Sequence, residues 1–216
     1  MNRGSQTHAR ALVIDLGGVI VDFDRTRTYR ALGHVTGLPF AQVQQRIEGT
    51  DLRDRYERGL LTDEAFSDEL VSLFPEAAAG LKDLLPEIWG DIFRPNYDMF
   101  EALRYLKGLG VVLVLLSNTS AMHFNYVKKD YPEVIALFDR IVLSYEARKL
   151  KPDRVLYEDV IAWLTREHGV PTGGMLYVDD VREYVRQSQL LGMTGHVYVS
   201  HPHFIFWLRT LGLYVP

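Results

Sequence analysis

Apolar positions fall into two patterns along the chain. The first is a series of short runs, apolar on both faces and rich in β-branched residues, at positions 12–15, 111–116, 141–144 and 175–179, with 196–199 a fifth. Runs without a polar alternate face predict strands buried on both sides of a parallel sheet. Helical periodicity lies between them. After Lys151-Pro152, for example, Leu156, Val160 and Leu164 recur every four residues, Asp153 stands where a helix is capped, and Gly169 with Pro171 marks its stop. The fold class is α/β, a parallel sheet with helices on each face.

The second pattern occupies positions 25–95. It carries no convincing strand and reads as several short helices, in which charges such as "DLRDRYERG" form a solvated face and anchors such as Phe66, Leu70 and Leu73 share an apolar one. Because this segment follows the first strand, it predicts a helical cap, 25–95, inserted into a core made of 1–24 and 96–216. The closing stretch "FIFWLRTLGLYV" predicts a helix packed on the sheet, and the polar first ten residues a frayed end.

Composition narrows the functional classes. The 216 residues are 47% hydrophobic with a formal net charge of −4, so there is no basic stripe for nucleic acid or an anionic membrane. With no cysteine, disulfides, thiol catalysis and cysteine-held zinc are excluded. No apolar stretch reaches the length of a membrane span, and the N-terminus has no secretory core. The expectation is a soluble cytoplasmic protein, monomer or homodimer, with a small-molecule partner.

Ligands of open parallel sheets bind beyond the carboxyl ends of the strands, so the residues just after each run carry the chemistry. Here they are Asp15, then Ser117-Asn118-Thr119, then, in the region after the third run, Lys151-Pro152, then Asp179-Asp180. Any one of them has an ordinary explanation, since Ser117 or Asp180 can cap a helix and a Lys-Pro pair can be an exposed turn. Together they supply carboxylates from two strand ends, a hydroxyl beside backbone amides, and an ammonium. That donor set suits Mg²⁺ and a phosphate group.

The order "DLGGV", "LLSNTS", "LKPDRVLYE", "YVDDVREYVRQSQLLGM" resembles the four motifs of the haloacid dehalogenase-like hydrolase superfamily, and the match spans almost the whole chain. The resemblance implies a Rossmann-like core with an inserted C1 cap that closes over the site and selects the substrate. It implies a Mg²⁺-dependent phosphatase acting on a small phosphorylated metabolite through an aspartyl phosphate. Asp15 would be the nucleophile and a metal ligand. Ser117 and the backbone amide of Asn118 would hold phosphoryl oxygens, and Lys151 would neutralise phosphate charge and orient Asp15. Asp180 and the carbonyl of Gly17 would bind the metal, with Asp179 acting directly or through water.

Two departures matter. The family's phosphatases usually place an aspartate two residues after the nucleophile as acid and base, and Gly17 stands there instead; Arg148 stands where many relatives have glycine. Asp22 and Asp24, in the region of the family's mobile flap, are candidates to replace the missing acid. A first motif of this kind also resembles that of sugar-1-phosphate phosphatases, whose acidic leaving group lowers the need for one. His201 and His203 lack acidic or thiol partners and read as surface residues. The competing readings are a metal-independent 2-haloacid dehalogenase, which the Asp179-Asp180 pair opposes, and a catalytically impaired member that binds a ligand or protein.

Overall fold

In the computed structural model, which describes residues 9–77 and 79–213, the five apolar runs form one parallel sheet. The strands in chain order are β1 (Ala11–Ile14), β2 (Val21–Phe23), β3 (Phe93–Pro95), β4 (Val112–Ser117), β5 (Arg140–Leu143), β6 (Met175–Asp179) and β7 (Thr194–Val197). The sheet runs β5-β4-β1-β6-β7. β1 lies at its centre, with Val13 level with Val114 on one side and Tyr177 on the other. β7 begins before the expected position 196, because Thr194 and Gly195 already pair with Leu176 and Tyr177.

Twelve helices are described: α1 (Thr26–Thr36), α2 (Phe40–Glu48), α3 (Leu52–Glu57), α4 (Asp63–Ser72), α5 (Leu81–Gly90), α6 (Tyr97–Gly108), α7 (Ala121–Asp130), α8 (Pro132–Ile135), α9 (Ser144–Ala147), α10 (Arg154–His168), α11 (Arg182–Leu190) and α12 (His201–Thr210). Two apolar layers flank the sheet, and the pleat of β1 sends alternate side chains to each. Leu12 and Ile14 pack with Phe100 of α6, Val127 of α7 and Phe204 of α12. Ala11 and Val13 face the opposite layer, with Val160 of α10 and Val185 of α11. α12 buries Phe204, Ile205 and Leu208, as the apolar tail predicts; Tyr214 and Val215 lie outside the described residues. Asp153 caps α10 by accepting from the Val155 amide at 3.0 Å, and Gly169 ends it in the left-handed region at φ 59°.

Helices α1–α5 build a third apolar cluster, centred on Tyr29, Tyr56, Phe66, Leu70 and Trp89, which Met122 of α7 joins from the core side. The expectation that positions 25–95 hold no strand needs correction. β3 pairs antiparallel with β2, matching Val21 with Pro95 and Phe23 with Phe93, so a short ribbon joins the two ends of the segment that holds α1–α5. A three-residue strand is too short to show period-2 alternation, and its partner is some seventy residues away in sequence. Among the described residues no helix is long and apolar enough to cross a membrane.

Candidate active site

Asp15 is the first residue past β1, and its amide donates to the Val178 carbonyl at 3.0 Å, which seats it in line with the sheet. The chain then doubles back as the Gly18 amide donates to the Val21 carbonyl at 2.7 Å. Gly18 is at φ 75°, and a Cβ there would stand 2.5 Å from Oδ2 of Asp180. Only glycine both adopts that backbone and lets the Asp180 carboxylate lie against the turn.

Lys151 ties the strand ends together. Its side chain is 1% exposed, and its Nζ lies 2.8 Å from Asp15 Oδ1 and 2.8 Å from Asp179 Oδ2. Asp179, fully buried, also accepts from the Tyr177 hydroxyl at 2.7 Å and from the Val181 amide at 2.9 Å. Its oxygens are thus engaged in holding the ammonium and the start of the following helix. By contrast, Asp15 Oδ1 has no aligned hydrogen bond, since its contact with Lys151 is an ion pair off the hydrogen-bonding direction. The Asn118 side chain clamps the backbone of Lys151 from both ends, accepting from its amide at 2.7 Å and donating to its carbonyl at 3.1 Å.

Carboxylate oxygens of Asp15, Asp179 and Asp180 all lie within 4.8 Å of one another. At the strand ends three acids stand against one ammonium, two of the acids buried and Asp180 open to solvent. Burial pushes the Asp15 carboxyl up to about 6, with Lys151 opposing the rise and Asp179 adding to it. Asp180 is raised by burial and then by Asp179. Burial alone would lower Lys151, but the Asp15 and Asp179 carboxylates outweigh it and hold the ammonium charged above its ordinary range. A divalent cation is the group that neutralises such an excess, and the free lone pairs of Asp15 and Asp180 suit it.

Asp15, Gly17, Ser117, Asn118, Lys151 and Asp180 line one cavity of about 180 Å³; Asp179 lies behind it. The lining is completed by Phe23, Arg25, Glu57, Ile92 and Phe93, from the segment of α1–α5 and its ribbon, and by His123 of α7. Asp22 and Asp24 do not line it. Asp24 instead accepts from the amide of Thr26 at 2.9 Å and its hydroxyl at 2.6 Å, opening α1. Glu57 corrects the reading of "DLRDRYERG" as wholly solvated, for it is partly buried and lines the cavity. Nothing local marks it, because α3 presents charges on all but one narrow face and docking selects which of them turns inward. Arg148 adopts φ 54° at the end of α9, which explains why glycine suits that position. His203 packs against His196, which stacks on Trp207 at 4.4 Å, so His203 belongs to an aromatic cluster on α12 and β7.

No protein-family profile matches the chain. Among curated proteins, a phosphatase of Mycobacterium tuberculosis is 28% identical over 196 residues, covering 87% of this chain and 86% of the relative. A sesquiterpene phosphatase of Aspergillus oryzae is 26% identical over 193 residues, covering 88% and 89%. Among solved structures, a haloacid dehalogenase family enzyme of Bacteroides thetaiotaomicron, in complex with magnesium and inorganic phosphate, superposes with TM-score 0.75 at 24% identity over 90% of this chain and 98% of that one. The L-2-haloacid dehalogenase of Xanthobacter autotrophicus superposes with TM-score 0.57 at 17% identity, over 96% and 84%.

Proposed function

We propose that this haloacid dehalogenase-like chain is a Mg²⁺-dependent phosphatase of a small phosphorylated metabolite, with residues 25–95 as the cap over its site. The observation that carries the reading is Lys151 held between the buried carboxylates of Asp15 and Asp179, with Asp180 beside them. A carboxylate attacks a phosphate dianion only when their mutual repulsion is screened, and a fixed ammonium does this without reorganisation. Asp15, Asp180 and the carbonyl of Gly17 would hold Mg²⁺, with Asp179 engaged directly or through water. Bound there, the metal would supply further neutralisation of charge on the transferring phosphoryl group.

The chain's own residues divide the remaining work. Ser117 and the Asn118 amide hold phosphoryl oxygens, and Lys151 neutralises one of them and orients Asp15. An Asp15 oxygen attacks phosphorus, the bond to the leaving oxygen breaks, and water then cleaves the aspartyl phosphate to phosphate and free Asp15. The leaving group departs opposite Asp15, towards the wall of Phe23, Arg25, Phe93 and His123. That wall, half polar and half aromatic, suits a sugar phosphate or another compact ester with an apolar face.

Phosphate release from a panel of esters, with Mg²⁺ and with chelator, tests the proposal. Release that requires Mg²⁺ is expected. Halide release from 2-chloropropionate without metal would favour the dehalogenase reading instead, and silence on every substrate would favour the binding module.

A further inference from the structure

We infer that Glu57 is the catalytic acid and base of this site, reaching from the cap to do what an aspartate at Gly17 would do. The inference rests on the phosphatase reading. Three independent features of the molecule lead to it.

The first is direction. In an in-line displacement the leaving oxygen stands opposite the nucleophile. With Asp15, Ser117 and Lys151 on the sheet side, the oxygen that needs a proton faces the insertion, where Glu57 lines the cavity.

The second is elimination among the groups that wall the cavity. His123 is buried, stacked on Trp89 at 5.6 Å, and burial lowers it to about 3, so at neutral pH it is not the imidazolium that a general acid needs. Tyr184 lies on the sheet side, accepts from Asn118 at 3.3 Å and has the Lys151 ammonium 5.1 Å from its ring centre. Asp180 belongs to the acid cluster. The Glu57 carboxylate makes no ion pair and no hydrogen bond with any described residue, and Arg25 and Arg53 act on it only from a distance. Burial raises its carboxyl, which favours the protonated form that a general acid needs.

The third is placement. The Ser144 hydroxyl donates to the Glu57 carbonyl at 2.7 Å and accepts from the Thr119 amide at 2.9 Å, so one side chain joins the backbone of Glu57 to the phosphate-binding loop. Two residues on, Gly59 lies so close to α9 that a Cβ would stand 2.0 Å from the Tyr145 carbonyl oxygen. On the other side, the Tyr56 hydroxyl accepts from the Met122 amide at 3.2 Å. The carboxylate is therefore carried on backbone pinned to the core.

The cycle balances. As an Asp15 oxygen bonds to phosphorus, the electron pair of the breaking P–O bond goes to the leaving oxygen, which takes the proton of Glu57 and departs as an alcohol. The Glu57 carboxylate then takes a proton from the water that attacks phosphorus. The Asp15–phosphorus bond breaks, phosphate leaves, and Glu57 is protonated again.

The test compares wild type, Glu57→Gln and Glu57→Asp with Mg²⁺ on an aryl phosphate and an alkyl phosphate, after thermal melts establish that all three fold. With Gln, kcat/KM on the alkyl ester should fall by roughly 10²–10⁴-fold. On the aryl ester, whose phenolate leaves unprotonated, kcat/KM should change little while kcat falls and the phosphorylated chain accumulates for lack of a base. Asp, an acid on a shorter stem, should recover part of the alkyl activity. An equal loss of kcat/KM on both esters, or no loss on either, would overturn the role of Glu57. Wild type inactive on both esters would instead remove the phosphatase reading beneath it.

Discussion

The ring of Phe23 fills the space in front of Gly17: a Cβ on that glycine would stand 3.2 Å from Cδ1 and 3.3 Å from Cε1. Arg25 in turn lies over the same ring, 5.2 Å from its centre. The missing aspartate is therefore replaced by an aromatic surface and not by open room. Restoring it requires the ring, which is 41% exposed, to give way by a few tenths of an ångström, a small steric cost. Gly17→Asp alone should lower the melting temperature without raising activity on alkyl phosphates. The double variant Gly17→Asp, Phe23→Ala should regain stability and gain alkyl phosphatase activity. Melting curves and kcat/KM for both proteins decide it.

Asp15→Asn should abolish turnover while the protein stays folded. The amide is nearly isosteric but is too weak a nucleophile to form the aspartyl phosphate. Mass spectrometry of acid-quenched protein should show a phosphate adduct in wild type and none in the variant. An adduct on Asp15→Asn would end the covalent scheme.

Asp180→Ala should weaken Mg²⁺ binding, since it removes one of the two carboxylates whose lone pairs stay free. The metal should stabilise wild type by about 2.7 kcal/mol at a hundredfold excess over its Kd, and the variant much less at the same concentration. Calorimetry and thermal melts across a Mg²⁺ series read this directly. Equal affinities would move the metal elsewhere.

His123 predicts acid sensitivity. Burial, with Arg25 and Arg53 adding, lowers it from 6.5 to about 3. Below pH 6.5 the unfolded chain takes up a proton that the folded chain refuses, so this stability is complete above 6.5 and drains as pH falls towards 3. The loss is about 2 kcal/mol between pH 7 and 5. The raised Asp15 carboxyl has the opposite sign over part of this window, so the contrast to measure is wild type against His123→Phe, which should have the flatter acid limb in denaturant titrations.

Arg148→Gly should stabilise the fold. The left-handed backbone at φ 54° costs a non-glycine residue roughly 1–2 kcal/mol, and the greater freedom of glycine in the unfolded chain returns part of that gain. A modest rise in melting temperature is expected. A fall would mean that the Arg148 side chain makes a contribution larger than the strain.

Much of the molecule is legible in the sequence alone. Runs apolar on both faces can be satisfied only inside a covered sheet, so β1, β4, β5, β6 and β7 were readable to within a residue or two, and so was the helix between Asp153 and Gly169. An acid, a hydroxyl and an acid pair just past such runs must gather at one edge of a parallel sheet, and Lys151 returns to that edge from beyond α9. That is why Asp15, Ser117, Lys151 and Asp180 could be named together from order alone.

Tertiary structure alone decided what the other side of the cavity holds. Periodicity reports the average surroundings of a local stretch and says nothing about which distant segment covers it. The ribbon of β2 and β3 forms between strands too short to show a pattern. The inward turn of Glu57 depends on Ser144 and Tyr145 meeting α3 across some ninety positions of sequence. The Asn118 side chain clamps Lys151 from thirty-three residues away, and Phe23 occupies the place of a side chain that Gly17 lacks. Each is a contact between segments whose local energetics are satisfied without the other, so only the packing of the whole chain could choose it.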